Sequence, residues 1–225
     1  MEKYKNRYRI KSHRMPNWNY SMNGIYFFTI VTQNRECNLG RIVNTNGCPY
    51  IELSDFGKIV ETEFLKSFNI RHELFLDTFI IMPNHLHAII VLQKTTMGIG
   101  ANGANKTHVE THGRASLQQS PVPSSQPSFQ QLNQQSVEPQ KFIRLPKSIS
   151  SFMAGFKSTV NTKIDNYIDD YHLDIPKYNR NSHFFQPNYH DHIIRNNAEY
   201  EGTRNYIINN PVNWKNDKFK PDNIQ

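Results

Sequence analysis

Two histidines separated by one apolar residue, His85 and His87, follow a Pro83-Asn84 turn and open the run Ala88-Ile89-Ile90-Val91. In a β-strand, alternate side chains share a face. Both imidazoles then project together, while Leu86 packs on the other side. Two adjacent imidazoles can hold a divalent metal and leave positions open for a substrate oxygen. A second polar cluster lies about a hundred residues on, in Phe185-Gln186-Pro187-Asn188-Tyr189-His190-Asp191-His192-Ile193-Ile194-Arg195. Pro187 and Asn188 read as a helix entry, with Asn188 as N-cap. Tyr189 then falls in the first turn, and His192, three residues later, shares its face. A helix start bearing a phenol, a carboxylate and an imidazole suits a phosphate. The alternative is a surface helix whose tyrosine covers the edge of the core.

The elements around these clusters follow from hydrophobic periodicity. Ile25 to Thr32 is rich in β-branched and aromatic residues and reads as a buried strand. Residues 33–50 form a loop or hairpin with turn signals at Gly40, Asn46-Gly47 and Pro49. Ser54 or Asp55 caps a helix with Ile59, Val60, Phe64 and Phe68 on its apolar face. Leu74–Met82 and His85–Leu92 pair as antiparallel strands through the Pro83-Asn84 turn. Ser148 or Ser150 caps a long helix striped by Phe152, Met153, Phe156, Val160 and Ile164. A short strand is expected at 183–186, a helix from Tyr189, and another at 198–209. The order β-α-β-β-α-β-α-α is α+β. It fits a ferredoxin-like split β-α-β antiparallel sheet with helices on one face.

The chain of 225 residues has 26 Lys and Arg against 19 Asp and Glu, a net charge of +7. That excess suits a polyanion, most simply nucleic acid, although it also serves solubility. The excess concentrates in residues 1–20. There Lys3, Lys5, Arg7, Arg9, Lys11 and Arg14 face only Glu2, and Tyr4, Tyr8, Trp18 and Tyr20 are interleaved. Such an arm can pair with phosphates and stack on unpaired bases; the plainer reading is a disordered basic start. Two cysteines, Cys37 and Cys48, make neither a disulfide framework nor a cysteine zinc site, and a reducing cytoplasm fits. No secretory signal and no membrane-spanning run is expected. Residues 94–140 turn to Gly, Asn, Gln, Ser and Pro, the composition of a mobile insertion. The expected organisation is a basic arm (1–20), a single domain (21–215) interrupted at 94–140, and a tail (216–225).

With these residues in view, the chain resembles the REP-associated tyrosine transposases. These belong to the single-tyrosine HUH (His-hydrophobic-His) transposases related to insertion sequences 200/605. The resemblance rests on Tyr26-Phe27-Phe28-Thr29-Ile30, Met82-Pro83-Asn84-His85-Leu86-His87-Ala88-Ile89-Ile90, Phe156-Lys157-Ser158, the 185–195 cluster, and Tyr206-Ile207-Ile208-Asn209-Asn210-Pro211-Val212-Asn213-Trp214. It implies a metal-dependent endonuclease that cleaves and rejoins single-stranded DNA near hairpins through a 5′-phosphotyrosine, without ATP. It also implies that His85 and His87 ligate Mg²⁺ or Mn²⁺ and that Tyr189 is the nucleophile. The third ligand is His192, with Asp191 as its substitute, because Ile193 cannot ligate. Lys5, Arg7, Arg9, Lys11, Arg14, Lys157 and Arg195 are the expected DNA contacts, and His190 touches DNA or solvent. Single-stranded or hairpin DNA is the implied partner, with a homodimer as an option. The alternative is a catalytically inactive hairpin-binding protein; a metal-dependent hydrolase is the further competitor.

Overall fold

The computed structural model describes residues 3–4, 7–8, 18–94, 145–179 and 182–221. The expected insertion at 94–140, beyond its first residue, and almost all of the basic arm, including Lys5, Arg9, Lys11 and Arg14, lie outside the described residues. Two short strands, β1 (Lys3–Tyr4) and β2 (Arg7–Tyr8), pair antiparallel. No described helix is long and apolar enough to cross a membrane.

The centre of the fold is an antiparallel sheet. Strand β3 (Gly24–Val31) is followed by a hairpin, β4 (Gly40–Thr45) and β5 (Cys48–Leu53), joined at Asn46-Gly47. Both turn residues have positive φ, 53° and 81°, the backbone that asparagine and glycine tolerate best. Helix α1 (Asp55–Ile70) leads to β6 (Leu74–Met82) and β7 (His85–Leu92), and helix α2 (Ile149–Asp170) leads to β8 (His190–Ile194). Helices α3 (Asn197–Ile208) and α4 (Asn210–Asn213) close the chain, with a 3₁₀ turn at Trp214–Asn216. The sheet order is β6-β7-β3-β8. The first and third strands of the split unit are thus central, as the ferredoxin-like plan requires.

Pleat alternation divides the residues between two faces. Tyr26, Phe28 and Ile30 of β3, with Leu86, Ala88 and Ile90 of β7, join Val60 and Phe64 of α1 and Phe152, Phe156 and Val160 of α2 in the main core. The opposite face carries Ile25, Phe27, Ile80, Ile89 and Ile194, covered by Tyr200 and Ile207 of α3. Helices α1 and α2 therefore take one face, and α3 adds a cover on the other.

Ser54 caps α1, accepting from Gly57 N at 3.0 Å and donating to Asn38 O at 2.6 Å. Ser148 caps α2 in a reciprocal box with Ser151. Ser54→Ala is expected to cost about 1–2 kcal/mol, since it removes the cap and a tie to the preceding loop. The urea midpoint should fall with an unchanged m-value; an unmoved midpoint contradicts the assignment.

Two expected elements are different. Residues 189–195 do not form a helix; His190–Ile194 are a strand that pairs with the edge of β3, Ile25 opposite Ile194 and Thr29 opposite His190. Phe185 makes only an isolated bridge to Thr32 in place of the expected short strand. The cause is visible in His190-Asp191-His192-Ile193-Ile194. The β-branched Ile193 and Ile194 pack on opposite faces of the sheet, and a helix there would leave the edge of β3 unpaired.

Candidate active site

His85 and His87 lie at the start of β7, on the face that α3 covers, with ring centroids 4.5 Å apart. The two-residue turn, Met82 opposite His85, fixes their register. Asn84 in that turn is fully buried, and its Nδ2 donates to Arg35 O at 3.0 Å and Phe219 O at 2.7 Å. Those two carbonyls leave Asn84 Oδ1 as the acceptor for His85 Nδ1, at 2.8 Å. The His85 proton thus sits on Nδ1, and the lone pair of Nε2 points into the site. His87 Nδ1 shares a hydrogen bond with Thr29 Oγ1 on β3, at 2.8 Å. Fixing each ring through the far nitrogen is how proteins prepare imidazoles to ligate a metal.

The third group comes from the C-terminal turn. Asp217, with a side chain only 4 % exposed, brings Oδ2 to 4.0 Å from His85 Nε2, and its Oδ1 accepts from Phe219 N at 2.6 Å. Ligand atoms of His85, His87 and Asp217 all lie within 4.8 Å of one another, the one such group among the described residues. Phe219 and Trp214 stand over the His85 ring at 4.9 and 6.1 Å. The segment 216–221, expected as a tail, therefore builds part of the site.

Tyr206, near the end of α3, places its hydroxyl 3.2 Å from His87 Nε2. Its ring lies 5.1 Å from the His87 ring and edge-on to Phe27. In the tautomer that carries the His87 proton on Nδ1, the phenol donates to Nε2. Asn210 stands one helical turn further on, so it shares that face. It is buried, and its amide acts on both His85 and Tyr206. Both its amide atoms, like His85 Nε2, are buried with no hydrogen-bond partner.

Burial controls the titration here. It drives the His85 pKa down to about 3, with the nearby Lys218 charge acting the same way and Asn210 opposing. His87 is pushed well below the ordinary histidine value by burial, then by His85, Lys218 and His190. Both rings are neutral at physiological pH, as metal ligands must be. Burial and the Asp217 charge hold the Tyr206 hydroxyl above the usual phenol value, and Asn210 offsets part of this. The donor set is two neutral imidazoles and a carboxylate. Added to an orphaned, buried Nε2, it fits a divalent ion.

The residues expected at the second cluster are placed differently. In a strand, residues three apart point to opposite faces. Tyr189 packs against the main core, on the side of α2, with Lys157 Nζ 5.5 Å over its ring. Asp191 is buried opposite Phe28, and its charge reaches Tyr26 in that same core. Neither side chain faces the histidine pair. His192 does lie on the histidine face, but its Nε2 pairs with Glu199 of α3. Arg195 is exposed, and its backbone N–H donates to Glu199 Oε2 at 2.8 Å. Those contacts, with Arg195 first, hold the Glu199 carboxyl below its ordinary value. The structure therefore does not bring Tyr189, Asp191 or His192 to His85 and His87. His190 faces the site instead, across β3 from His87 and 5.9 Å from the Phe219 ring.

Lys157 is turned away from the site as well. Its ammonium donates to Gln186 O at 2.7 Å and also points at the carbonyls of Pro187 and Asn188. Burial lowers its pKa to about 8. It clamps the segment entering β8. Lys157→Ala should cost roughly 1–3 kcal/mol and speed amide exchange in β8, while Mn²⁺ affinity stays unchanged. A selective loss of DNA affinity in a variant of unchanged stability would instead restore Lys157 as a DNA contact.

The Tyr206–Trp214 segment carries part of the family resemblance, but its residues alone give Tyr206 no role. The available signal was Tyr206 and Asn210 four apart, just before Pro211, on one face of a helix end. Asp217 carried no local signal.

No family model matches the chain. A protein of Haemophilus influenzae Rd, described only as uncharacterized, is 28 % identical over 215 residues, covering 94 % of this chain and 93 % of that protein. Among solved structures, a REP-associated tyrosine transposase bound to a REP hairpin superposes with a TM-score of 0.45 at 17 % identity. That match covers 95 % of this chain and 74 % of the other. Likeness of this degree carries no argument about activity.

Proposed function

We propose that this chain is a metal-dependent endonuclease of single-stranded or hairpin DNA, of the transposase type, and that its nucleophile is Tyr206. The observation that carries the reading is the Tyr206 hydroxyl 3.2 Å from His87 Nε2, at the edge of the group formed by His85, His87 and Asp217. The basic charge of the chain and the resemblance of its motifs supply the substrate class.

His85, His87 and Asp217 would hold Mg²⁺ or Mn²⁺, which when bound supplies Lewis-acid neutralisation of the charge that develops on a scissile phosphate. The chain supplies the rest. Thr29 and Asn84 hold the imidazoles by their Nδ1 atoms. Trp214 and Phe219 exclude water from His85. Tyr206 is 38 % exposed, so its ring is fixed by Phe27 and His87 while its hydroxyl can meet a strand. The attack forms an Oη–phosphorus bond and breaks the bond from phosphorus to the 3′ oxygen. The phenol loses its proton and the departing 3′ oxygen gains one. The bond energy stays in the phosphotyrosine, so rejoining needs no ATP. The hydroxyl sits on the Nε2 atom that would face the ion, so Tyr206 must give up this hydrogen bond on loading.

The test is incubation with end-labelled hairpin oligonucleotides and Mn²⁺ or EDTA, resolved on denaturing gels. A metal-dependent protein–DNA adduct carrying the label 3′ of the cut supports the reading. Cleavage without an adduct indicates attack by water, and binding without cleavage indicates an inactive binder.

A further inference from the structure

Beside the histidine site lies a cleft of about 600 Å³ between the β4–β5 hairpin and the segment that follows α3. Its size falls in the ~300–1,000 Å³ range of small-molecule sites. Its inner wall is shared with the candidate site. Pro83 immediately precedes Asn84 and His85, Pro211 follows Asn210, and Trp214 stands against the His85 ring. The outer wall is the hairpin, with Ile42 half-buried in it. Among the described residues, three cations, Arg41, Lys215 and Lys220, stand on the lining, and no carboxylate does. Arg41 is shared with Glu52 across the hairpin, at 2.6 Å, in an exposed pair.

Apolar walls beside a histidine–carboxylate group, edged by cations alone, match one chemistry: a flat base with a phosphate attached. We infer that this cleft is a nucleotide subsite. It seats one unpaired nucleotide of the DNA strand next to the scissile phosphate, with the base between the hairpin and Pro211–Trp214 and the phosphate on Lys215 and Lys220. The inference rests on the endonuclease reading for the identity of the strand, and it deepens that reading by naming what flanks the cut. Seating one base in a walled slot makes the enzyme sensitive to nucleotide identity at that position. Apolar contact with the base faces supplies the binding, and the lysines set register along the backbone.

The test reads the cleft without metal or cleavage. In a Trp18→Phe background, Trp214 is the only indole, since the chain has two tryptophans. Its emission is titrated with each of the common deoxynucleoside 5′-monophosphates, with deoxyribose 5-phosphate, and with inorganic phosphate. The expected result is a saturable change with at least one nucleotide and none with the two base-free phosphates. Lys215→Ala combined with Lys220→Ala should weaken it about tenfold or more, and Ile42→Phe, which fills the slot, should do the same. Mn²⁺ affinity in the same variants, expected within about twofold of the parent, shows that the site is still folded. No change with any nucleotide at millimolar concentration, or an equal response to phosphate alone, overturns the inference. Adduct formation without a nucleotide response sinks the subsite and spares the endonuclease. A nucleotide response in a protein that never forms an adduct does the reverse.

Discussion

Tyr206→Phe abolishes the covalent DNA adduct, while Tyr189→Phe leaves it at or near the parental level. The expected loss at Tyr206 exceeds about a thousandfold, because removing the attacking group of a covalent mechanism leaves only binding and electrostatics. Phenylalanine keeps the ring against Phe27 and His87, so the fold is retained. The same variant frees His87 Nε2 from its hydrogen bond, and Mn²⁺ affinity should hold or rise slightly. A structural role for Tyr206 predicts a different pattern, lost stability with the adduct still formed. Tyr189→Phe removes a hydroxyl on the α2 face, so its cost falls on stability, by about 1 kcal/mol, read from the urea midpoint. Labelled hairpin oligonucleotides and a denaturing gel report both variants together. A normal adduct in Tyr206→Phe would falsify the assignment.

Asp217→Asn or His87→Ala lowers Mn²⁺ affinity by more than about a hundredfold. Removing a partner of a ligand commonly costs ~10–100-fold, and removing the ligand itself costs more. Asparagine keeps the shape of Asp217 and an oxygen for Phe219 N–H, so the loss isolates the charge. Isothermal titration with Mn²⁺ checks it; an affinity within a few-fold of the parent removes Asp217 from the donor set. Proton competition follows from the same burial. An ordinary histidine pair takes up protons below about pH 6.5, but His85 resists until about pH 3 and His87 is depressed also. In metal-free protein, the unfolded chain binds these protons as pH falls through its ordinary value while the folded chain does not. Stability from the neutral pair is therefore complete above about pH 6.5 and declines below it, through the folded pKa values. At about pH 4.5 the loss from His85 alone is roughly 2–3 kcal/mol. Denaturation of parent and His85→Gln protein at neutral and acid pH measures the difference. Equal acid sensitivity in the two would mean that His85 is not held neutral by burial.

The parts of this molecule legible in its sequence are those whose signal is local. The Pro83-Asn84 turn and the following alternation place His85 and His87 on one strand face, and the capping serines and apolar stripes locate α1 and α2. At residues 189–195 the local signal is Pro187-Asn188, a helix entry, while His190 to Ile194 carry no apolar alternation of their own. A strand that completes a sheet is decided by the partner edge, here Tyr26 to Thr29 of β3, which no local window contains. That one reassignment turns Tyr189 and Asp191 away from the histidines. Tyr206 was readable in part, since Tyr206 and Asn210 share a helix face before Pro211, but which tyrosine meets the metal ligands depends on how α3 crosses the sheet. Asp217 was not readable. A lone carboxylate near the end of the chain acquires meaning only when Asn84 Nδ2 ties the Phe219 carbonyl beside His85.

The central claim is that Tyr206 carries the DNA. Trypsin separates the competing tyrosines, because Arg204 and Lys215 bound one peptide with Tyr206 and Arg180 and Arg195 bound another with Tyr189. The most direct measurement is mass spectrometry of the tryptic digest after trapping with Mn²⁺ and a hairpin substrate, followed by nuclease trimming. The account predicts nucleotide mass on the 205–215 peptide, localised to Tyr206, with the 181–195 peptide unmodified. Nucleotide mass on Tyr189 would contradict it.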